Sequence, residues 1–147
     1  MSPIVVGPPK PRPTWDEYGL QLAFAASTRA DCTRRQVGAV LMGPDHRIHG
    51  TGYNGAPPGV PGCASAGACP RGRLSYDQVA ASSQYASGAG RCIANHAERN
   101  ALTFIDTNVD LTGFTLYVTD EPCPDCHALI RESGIARAVW PDGELTF

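Results

Sequence analysis

Two short stretches constrain this chain more than any other feature: His-Ala-Glu at 96–98 and Pro-Cys-Pro-Asp-Cys at 122–126, each at the predicted start of a helix. A zinc site that performs catalysis takes three nitrogen or sulfur ligands and leaves the fourth tetrahedral position to water. His96, Cys123 and Cys126 meet that count without surplus. Glu98 lies two residues beyond the histidine and cannot share its direction, so it is better placed to reach a bound water than the metal. This pattern predicts a catalytic zinc with Glu98 as general acid and base.

The alternative is a structural site. In that interpretation Cys123 and Cys126 form half of a zinc knuckle, and His96 is an ordinary core histidine. A lone C-x-x-C pair does not decide between the two. The His-x-Glu pattern upstream and the proline at position 122 favour the catalytic site.

Composition narrows the class of protein. A chain of 147 residues fits one domain with a buried core, and 42% hydrophobic with 18% charged residues is ordinary for a globular protein. No apolar run approaches a membrane span and the N-terminus does not resemble a signal peptide, so we expect a cytoplasmic protein without a membrane partner. A net charge of −2 supplies no basic stripe for a nucleic-acid polymer.

Six cysteines allow three disulfides, but in a reducing compartment the C-x-x-C spacing favours metal binding.

The pattern of apolar residues predicts an extended arm over 1–13, a domain over 14–141 and a C-terminal tail over 142–147. A capping box at 14–17 begins the first helix, whose buried face we expect to hold Leu20, Ala23, Phe24 and Ser27. Segment 56–91 is rich in glycine, serine and proline, which predicts a long insert, with a short helix over 74–82. The remaining elements are a hairpin of strands over 37–42 and 47–53, a helix over 92–106, a strand over 115–119, a helix over 124–132 ended by Gly134, and a strand over 136–140. Strands alternating with helices predict an α/β protein with a mixed sheet that contains parallel crossovers.

With these residues in place, the chain resembles the zinc-dependent deoxycytidylate (dCMP) deaminases of the bacterial and phage branch, within the cytidine deaminase-like superfamily. The resemblance runs from Trp15 to Trp140. Its pieces are 14–18, Cys-Thr-Arg-Arg-Gln-Val-Gly-Ala-Val at 32–40, Gly-Tyr-Asn-Gly-Ala-Pro at 52–57, His-Ala-Glu-Arg-Asn-Ala-Leu at 96–102, and Leu-Tyr-Val-Thr at 116–119 leading into Pro-Cys at 122–123. The zinc pattern alone is shared by several nucleobase deaminases. The 52–55 segment and the long insert are what favour dCMP.

The resemblance implies a three-layer α/β/α fold around a mixed five-stranded sheet, and a hydrolase of nucleotide metabolism that converts dCMP to dUMP and ammonia. It also implies zinc on His96, Cys123 and Cys126, with Glu98 as the proton shuttle. Parts of the family are homo-oligomers and are regulated by dCTP and dTTP. The candidates for substrate binding are Arg29, Arg34, Arg35 and Asn54 for the 5′-phosphate, with Tyr117 as a wall of the pocket or a core residue.

Four cysteines are left over: Cys32, Cys63, Cys69 and Cys92. Four thiolates are the number that a closed structural zinc requires, and the insert has too few large apolar residues to hold itself in place. Related phage enzymes have a second zinc in this region, with two ligands at positions resembling Cys32 and Cys63. The alternative is four separate buried thiols.

Two other functions stay open at this point. One is a deaminase of another small base, nucleoside or modified cytosine nucleotide. This alternative stays open because the 70–76 segment, with Arg71 and Arg73, is not a general feature of the family. The other is a zinc-stabilised module without catalysis.

Overall fold

The computed structural model describes residues 3–4, 6–68 and 94–147 of the chain. Predictions that fall on residues 69–93, including Cys69, Cys92, most of the insert and its short helix, lie outside this range. Within it no helix is both long enough and apolar enough to cross a membrane. The elements are α1 (Trp15–Ser27), β1 (Gly38–Met42), β2 (Ile48–Tyr53), α2 (Ala97–Leu102), β3 (Thr115–Val118), α3 (Pro124–Ser133), β4 (Arg137–Trp140) and β5 (Gly143–Thr146).

The five strands form one mixed sheet in the order β2-β1-β3-β4-β5. Strand β1 runs antiparallel to both of its neighbours, β3 and β4 are parallel, and β5 returns antiparallel to β4. The predicted α/β class with a mixed five-stranded sheet is confirmed. Only one of the predicted crossovers, β3-α3-β4, joins strands that are direct neighbours, because β1 lies between β2 and β3.

Helices cover both faces of the sheet. Strand β1 alternates between them: Ala39 and Leu41 pack with residues of α2 and α3, whereas Val40 and Met42 pack on the α1 side. All five residues of β1 are buried. A strand that is covered on both faces has a continuous run of apolar residues, and β1 has such a run in the sequence.

Helix α1 begins at the predicted cap. The Glu17 amide donates to Thr14 Oγ1 at 3.1 Å, and the Thr14 hydroxyl donates in turn to the Glu17 carboxylate at 3.3 Å. The predicted buried face is wrong at Phe24, which is 50% exposed. The buried residues of α1 are Ala23, as predicted, and Gly19, which the Tyr117 ring approaches so closely that a Cβ there would overlap it.

Two predicted boundaries are corrected. The helix expected over 92–106 begins only at Ala97, since His96 is extended and Asn95 pairs with Gly55 in an isolated β-bridge. The predicted tail over 142–147 is mostly strand β5, which a tight turn after Trp140 folds back onto β4. Its sequence, Gly-Glu-Leu-Thr, has a single large apolar residue, so it shows neither the apolar run nor the alternation that marks a strand.

Candidate active site

The candidate site lies at one edge of the sheet, where β2 and β3 end and β1 begins. Gly38 pairs with Tyr53, and Ala39 pairs with Val118, so the loops after β2 and β3 meet the loop before β1 at this edge. Ligands of α/β proteins bind preferentially outside the carboxyl ends of strands. Helices α2 and α3 both start here.

Two glycines of β2 allow α2 to pack directly on the strand. A Cβ at Gly52 would overlap the Ala97 carbonyl oxygen, and one at Gly50 would overlap that of Ala101. The chain before the helix is tied to the loop after β2, since the Asn95 and Gly55 backbones exchange hydrogen bonds of 2.8 and 3.2 Å. These contacts fix where residues 96–98 lie.

Helix α3 presents the two cysteines. Cys123 is its N-cap, Pro124 its first residue, and Cys126 falls in the first turn. Proline at the first helical position is preorganised for a helix start and gives up only an amide that has no helical partner. The loop before it is anchored by Thr119, whose amide and hydroxyl bond to the Gly38 backbone at 3.0 and 3.1 Å. The predicted placement of both thiols at the start of one helix is confirmed.

The three predicted ligands come together. His96 Nδ1 lies 3.2 Å from Cys126 Sγ and 3.5 Å from Cys123 Sγ, and all three donor atoms lie within 4.8 Å of one another. A nitrogen and a sulfur on one tetrahedral zinc stand roughly 3.6 Å apart, given bonds of about 2.0 and 2.3 Å. The residues therefore fit a zinc ion, with Nδ1 as the histidine donor.

Electrostatics at the cluster also favour a cation. Glu98 is only 4% exposed, and the Cys126 thiol donates to its Oε2 across 3.3 Å. Burial, together with the Glu98 carboxylate and the Cys123 thiol, raises the pKa of the Cys126 thiol well above its ordinary value. A bound metal ion reverses this effect, because a coordinating thiol is deprotonated outright.

A cavity opens from this cluster towards the loop before β1. His96, Glu98 and Cys123 line it, and so do Arg34 and Arg35. Also in its lining are Cys32, Val37, Asn54, Cys63, Ala94, Ala97, Asp120 and Glu121. Metal-ligating and basic side chains therefore share one cavity.

Buried Asn54 holds the arginine loop in place. Its Nδ2 donates to the Arg35 carbonyl at 3.0 Å, and its Oδ1 accepts from the Val37 amide at 2.9 Å. The Asn54 amide group has a second N–H that these bonds do not use. Asn54 therefore lines the cavity and also holds the backbone of Arg35.

Two predicted substrate residues lie outside the cavity lining among the residues described. The Arg29 guanidinium sits over the Tyr53 ring, 5.9 Å from its centroid. Tyr117 is a core residue beneath α1, where its hydroxyl donates to Asp16 Oδ1 at 2.7 Å. Burial and the Asp16 carboxylate raise the pKa of Tyr117. Of the two positions predicted for Tyr117, the structure shows the core and not the pocket wall, which corrects its listing as a substrate-binding residue.

A family model for the cytidine and deoxycytidylate deaminase zinc-binding region matches residues 13–141. The chain belongs to this family. It is 56% identical to the deoxycytidylate deaminase of Mycobacterium phage D29, over 88% of this chain and 96% of that protein. It is 33% identical to the deoxycytidylate deaminase of Enterobacteria phage T4, over 82% of this chain and 74% of that protein. The fold resembles a crystal structure of dCMP deaminase from the cyanophage S-TIM5 in complex with dCMP and dUMP, with a TM-score of 0.65, 26% identity, and coverage of 89% of this chain and 83% of that one.

The two acidic residues that line the cavity were not identified from the sequence. Asp120 and Glu121 line it, and Asp120 Oδ2 lies 3.3 Å from Arg35 Nη2. Their position just before Pro122 and Cys123 was the only signal in the sequence. The contact with Arg35 joins residues 85 positions apart, so no local pattern reports it.

Proposed function

We propose that this protein catalyses the hydrolytic deamination of dCMP to dUMP and ammonia. The observation that carries the proposal is the cluster of His96, Cys123 and Cys126 beside buried Glu98, in a cavity that Arg34 and Arg35 also line. The likeness to deoxycytidylate deaminases of phages supports dCMP as the substrate.

In this proposal His96, Cys123 and Cys126 hold the zinc. The zinc lowers the pKa of water towards about 7 and so makes a nucleophile available at neutral pH. The chain contributes the geometry: helices α2 and α3 hold the three donors together, and β2 holds α2 in place.

Glu98 moves the proton. Its carboxylate accepts a proton from the attacking water and delivers it to the ring nitrogen next to the amino-bearing carbon of cytosine. It then accepts the second proton from the added hydroxyl group and gives it to the amino group, which leaves as ammonia as the C–N bond breaks and the carbonyl forms. One water is consumed and one ammonia leaves, so the proton balance closes within the site. Burial of Glu98 keeps bulk water from taking the proton.

Arg34 is the main candidate for the 5′-phosphate. Within the described ranges its guanidinium has no ion-pair partner, whereas that of Arg35 faces Asp120. A phosphate carries more charge than a single carboxylate and accepts several hydrogen bonds from a guanidinium. Asn54 supports the arginine loop and keeps one N–H for the substrate.

We also propose a second, structural zinc. Cys32 and Cys63 line the same cavity, and Cys63 is only 1% exposed. The other two proposed ligands, Cys69 and Cys92, lie outside the described residues. Metal analysis should find two zinc ions per chain, with a Cys63→Ser variant losing one. One zinc in a fully active preparation would favour the alternative of four separate thiols.

One assay tests the function. The zinc-loaded protein is incubated with dCMP, CMP, deoxycytidine, cytosine, guanine and adenosine, and ammonia release is followed. We expect dCMP to be preferred. Equal turnover of deoxycytidine would refute the phosphate site, preference for another base or nucleoside would favour that class of deaminase, and no turnover would favour a non-catalytic zinc module.

The remaining features stay predictions. The family resemblance implies a homo-oligomer and regulation by dCTP or dTTP, whereas the cytoplasmic location and the domain over 14–141 are predicted from the residues themselves.

A further inference from the structure

The segment at 62–65 contributes to the cavity wall and lies outside the strands of the sheet. It carries Cys63, which lines the cavity, and it begins a turn in which the Ala66 and Ala68 amides donate to the Gly62 carbonyl at 3.0 and 3.3 Å. Such a short turn does not bury enough apolar surface to fix its own position. Something outside the turn must do so.

The Asp31 carboxylate makes that connection. Its Oδ1 accepts from the backbone amides of Ala64 and Ser65, each at 2.8 Å, and its Oδ2 accepts from the Ser65 hydroxyl at 2.7 Å. Gly62 leaves room for this arrangement, since a Cβ there would overlap Asp31 Oδ2. Hydrogen bonds to a charged acceptor are roughly twice as strong as neutral ones.

Asp31 is itself fixed on the side of the sheet. Its backbone amide donates to the Asn54 carbonyl at 2.9 Å, and Asn54 in turn holds Val37 and Arg35. A continuous set of hydrogen bonds therefore runs from the end of β2 through Asp31 to the 62–65 turn. The same residue that precedes Cys32 thereby brings Cys63 to the cavity.

We infer that Asp31 is a positioning residue for substrate binding, which holds the 62–65 turn in place as a wall of the cavity. This inference rests on the proposed function, because substrate affinity is one of its measures. Within the described residues, the hydrogen bonds of Asp31 reach neither Glu98 nor the three metal donors, which depend on β2 and on α3. Loss of Asp31 should therefore raise KM and leave kcat close to its original value.

The test compares substitutions at both sides of the contact. Asp31→Ala removes both acceptor oxygens and with them all three hydrogen bonds, and it should raise KM for dCMP roughly tenfold, with kcat changed less than about twofold. Asp31→Asn keeps one oxygen for the two backbone amides and should restore most of the affinity. Gly62→Ala, which places a methyl group where the carboxylate lies, should reproduce the effect of Asp31→Ala.

A control is available at Asp110. Its Oδ1 accepts from the Thr112 amide and hydroxyl at 3.0 and 2.8 Å. Asp110 therefore also accepts from one backbone amide and one hydroxyl, but it holds a local turn that contributes no residue to the cavity lining. Asp110→Ala should leave KM unchanged. A rise in KM equal to that of Asp31→Ala would overturn the inference, because the effect would then be general destabilisation.

Amide hydrogen exchange gives a measure that needs no activity. In Asp31→Ala the amides of Ala64 and Ser65 should lose protection while those of β1 keep theirs. Unchanged protection and unchanged KM in an active protein would overturn the inference alone. A wild-type protein that does not deaminate dCMP would instead refute the proposed function, and the exchange result would still report on the turn.

Discussion

Gly52 lies at the closest approach between the sheet and the helix that carries Glu98. A Cβ at this position would lie under 3.0 Å from three backbone atoms of α2: the Ala97 oxygen, the Ala101 nitrogen and the Asn100 carbonyl carbon. Backbone atoms cannot rotate away as a side chain can. In a Gly52→Ala variant the backbone of α2, which carries Glu98, has to move away from the strand.

The size of the effect follows from this overlap. Ordinary van der Waals contact of a Cβ begins at 3.4 Å, so α2 must retreat by roughly 1 Å to accommodate the methyl group. A misplacement of about 1 Å can cost on the order of 10²-fold in rate. Overpacking of this kind also costs about 1–3 kcal/mol of stability, which lowers Tm by about 3–10 °C in a domain of this size.

The assay measures kcat/KM for dCMP, Tm and zinc content on the same preparations. Gly113→Ala is the matched control, because its Cβ would meet only Pro44 at 3.4 Å. We expect the control to behave as wild type, and Gly52→Ala to lose about 10²-fold in kcat/KM while still folded at 25 °C. A Gly52→Ala protein with unchanged kcat/KM and unchanged Tm would refute the argument that β2 sets the position of Glu98.

Three further predictions follow from the site and the α1 face. Glu98→Gln should keep zinc and fold but lose at least about 10²- to 10⁴-fold in kcat, because the amide cannot carry a proton; a rate near wild type would remove Glu98 from the mechanism. Arg34→Ala should raise KM for dCMP far more than KM for deoxycytidine, and equal effects on both would assign Arg34 to structure. The Arg137 guanidinium lowers the pKa of Asp16, so this contact should stabilise the fold above the carboxyl's unfolded pKa near 3.8 and lose its effect as pH falls below that value. Unfolding of an Asp16→Asn variant should accordingly depend less on pH between about 5 and 3 than that of the wild type, and an identical pH dependence would exclude the contact.

The sequence predicted the metal ligands well because each is fixed by local rules. A proline followed by a cysteine marks the helix start at 123–126, and the i, i+3 spacing alone places both thiols on one side. The start of α2 was predicted five residues too early for the opposite reason. Asn95 is taken out of the helix by a bridge to Gly55, a partner 40 positions away that periodicity cannot reveal.

Charged groups of the cavity show the same limit. Arg34 and Arg35 were recognised as candidates from their neighbourhood in the chain, yet Asp31 and Asp120 were not. Their partners are 33–34 and 85 positions away, at Ala64, Ser65 and Arg35. Contacts at such separation depend on how the strands are ordered, which the sequence indicates only through the class of fold.

The Gly-Tyr-Asn-Gly segment at 52–55, which favoured dCMP by resemblance, has a role in the structure at every position. Gly52 admits α2, the Tyr53 carbonyl accepts from Asn100 Nδ2 at 2.8 Å, and the Gly55 backbone pairs with that of Asn95. Asn54 faces the other way and holds the loop of Arg34 and Arg35. The segment therefore contacts both the helix that carries Glu98 and the loop that we propose binds the phosphate. These contacts come from four consecutive residues, so the segment helps to fix the position of the helix relative to the loop. A substitution at Asn54 should then change KM without changing kcat, whereas one at Gly52 should change both.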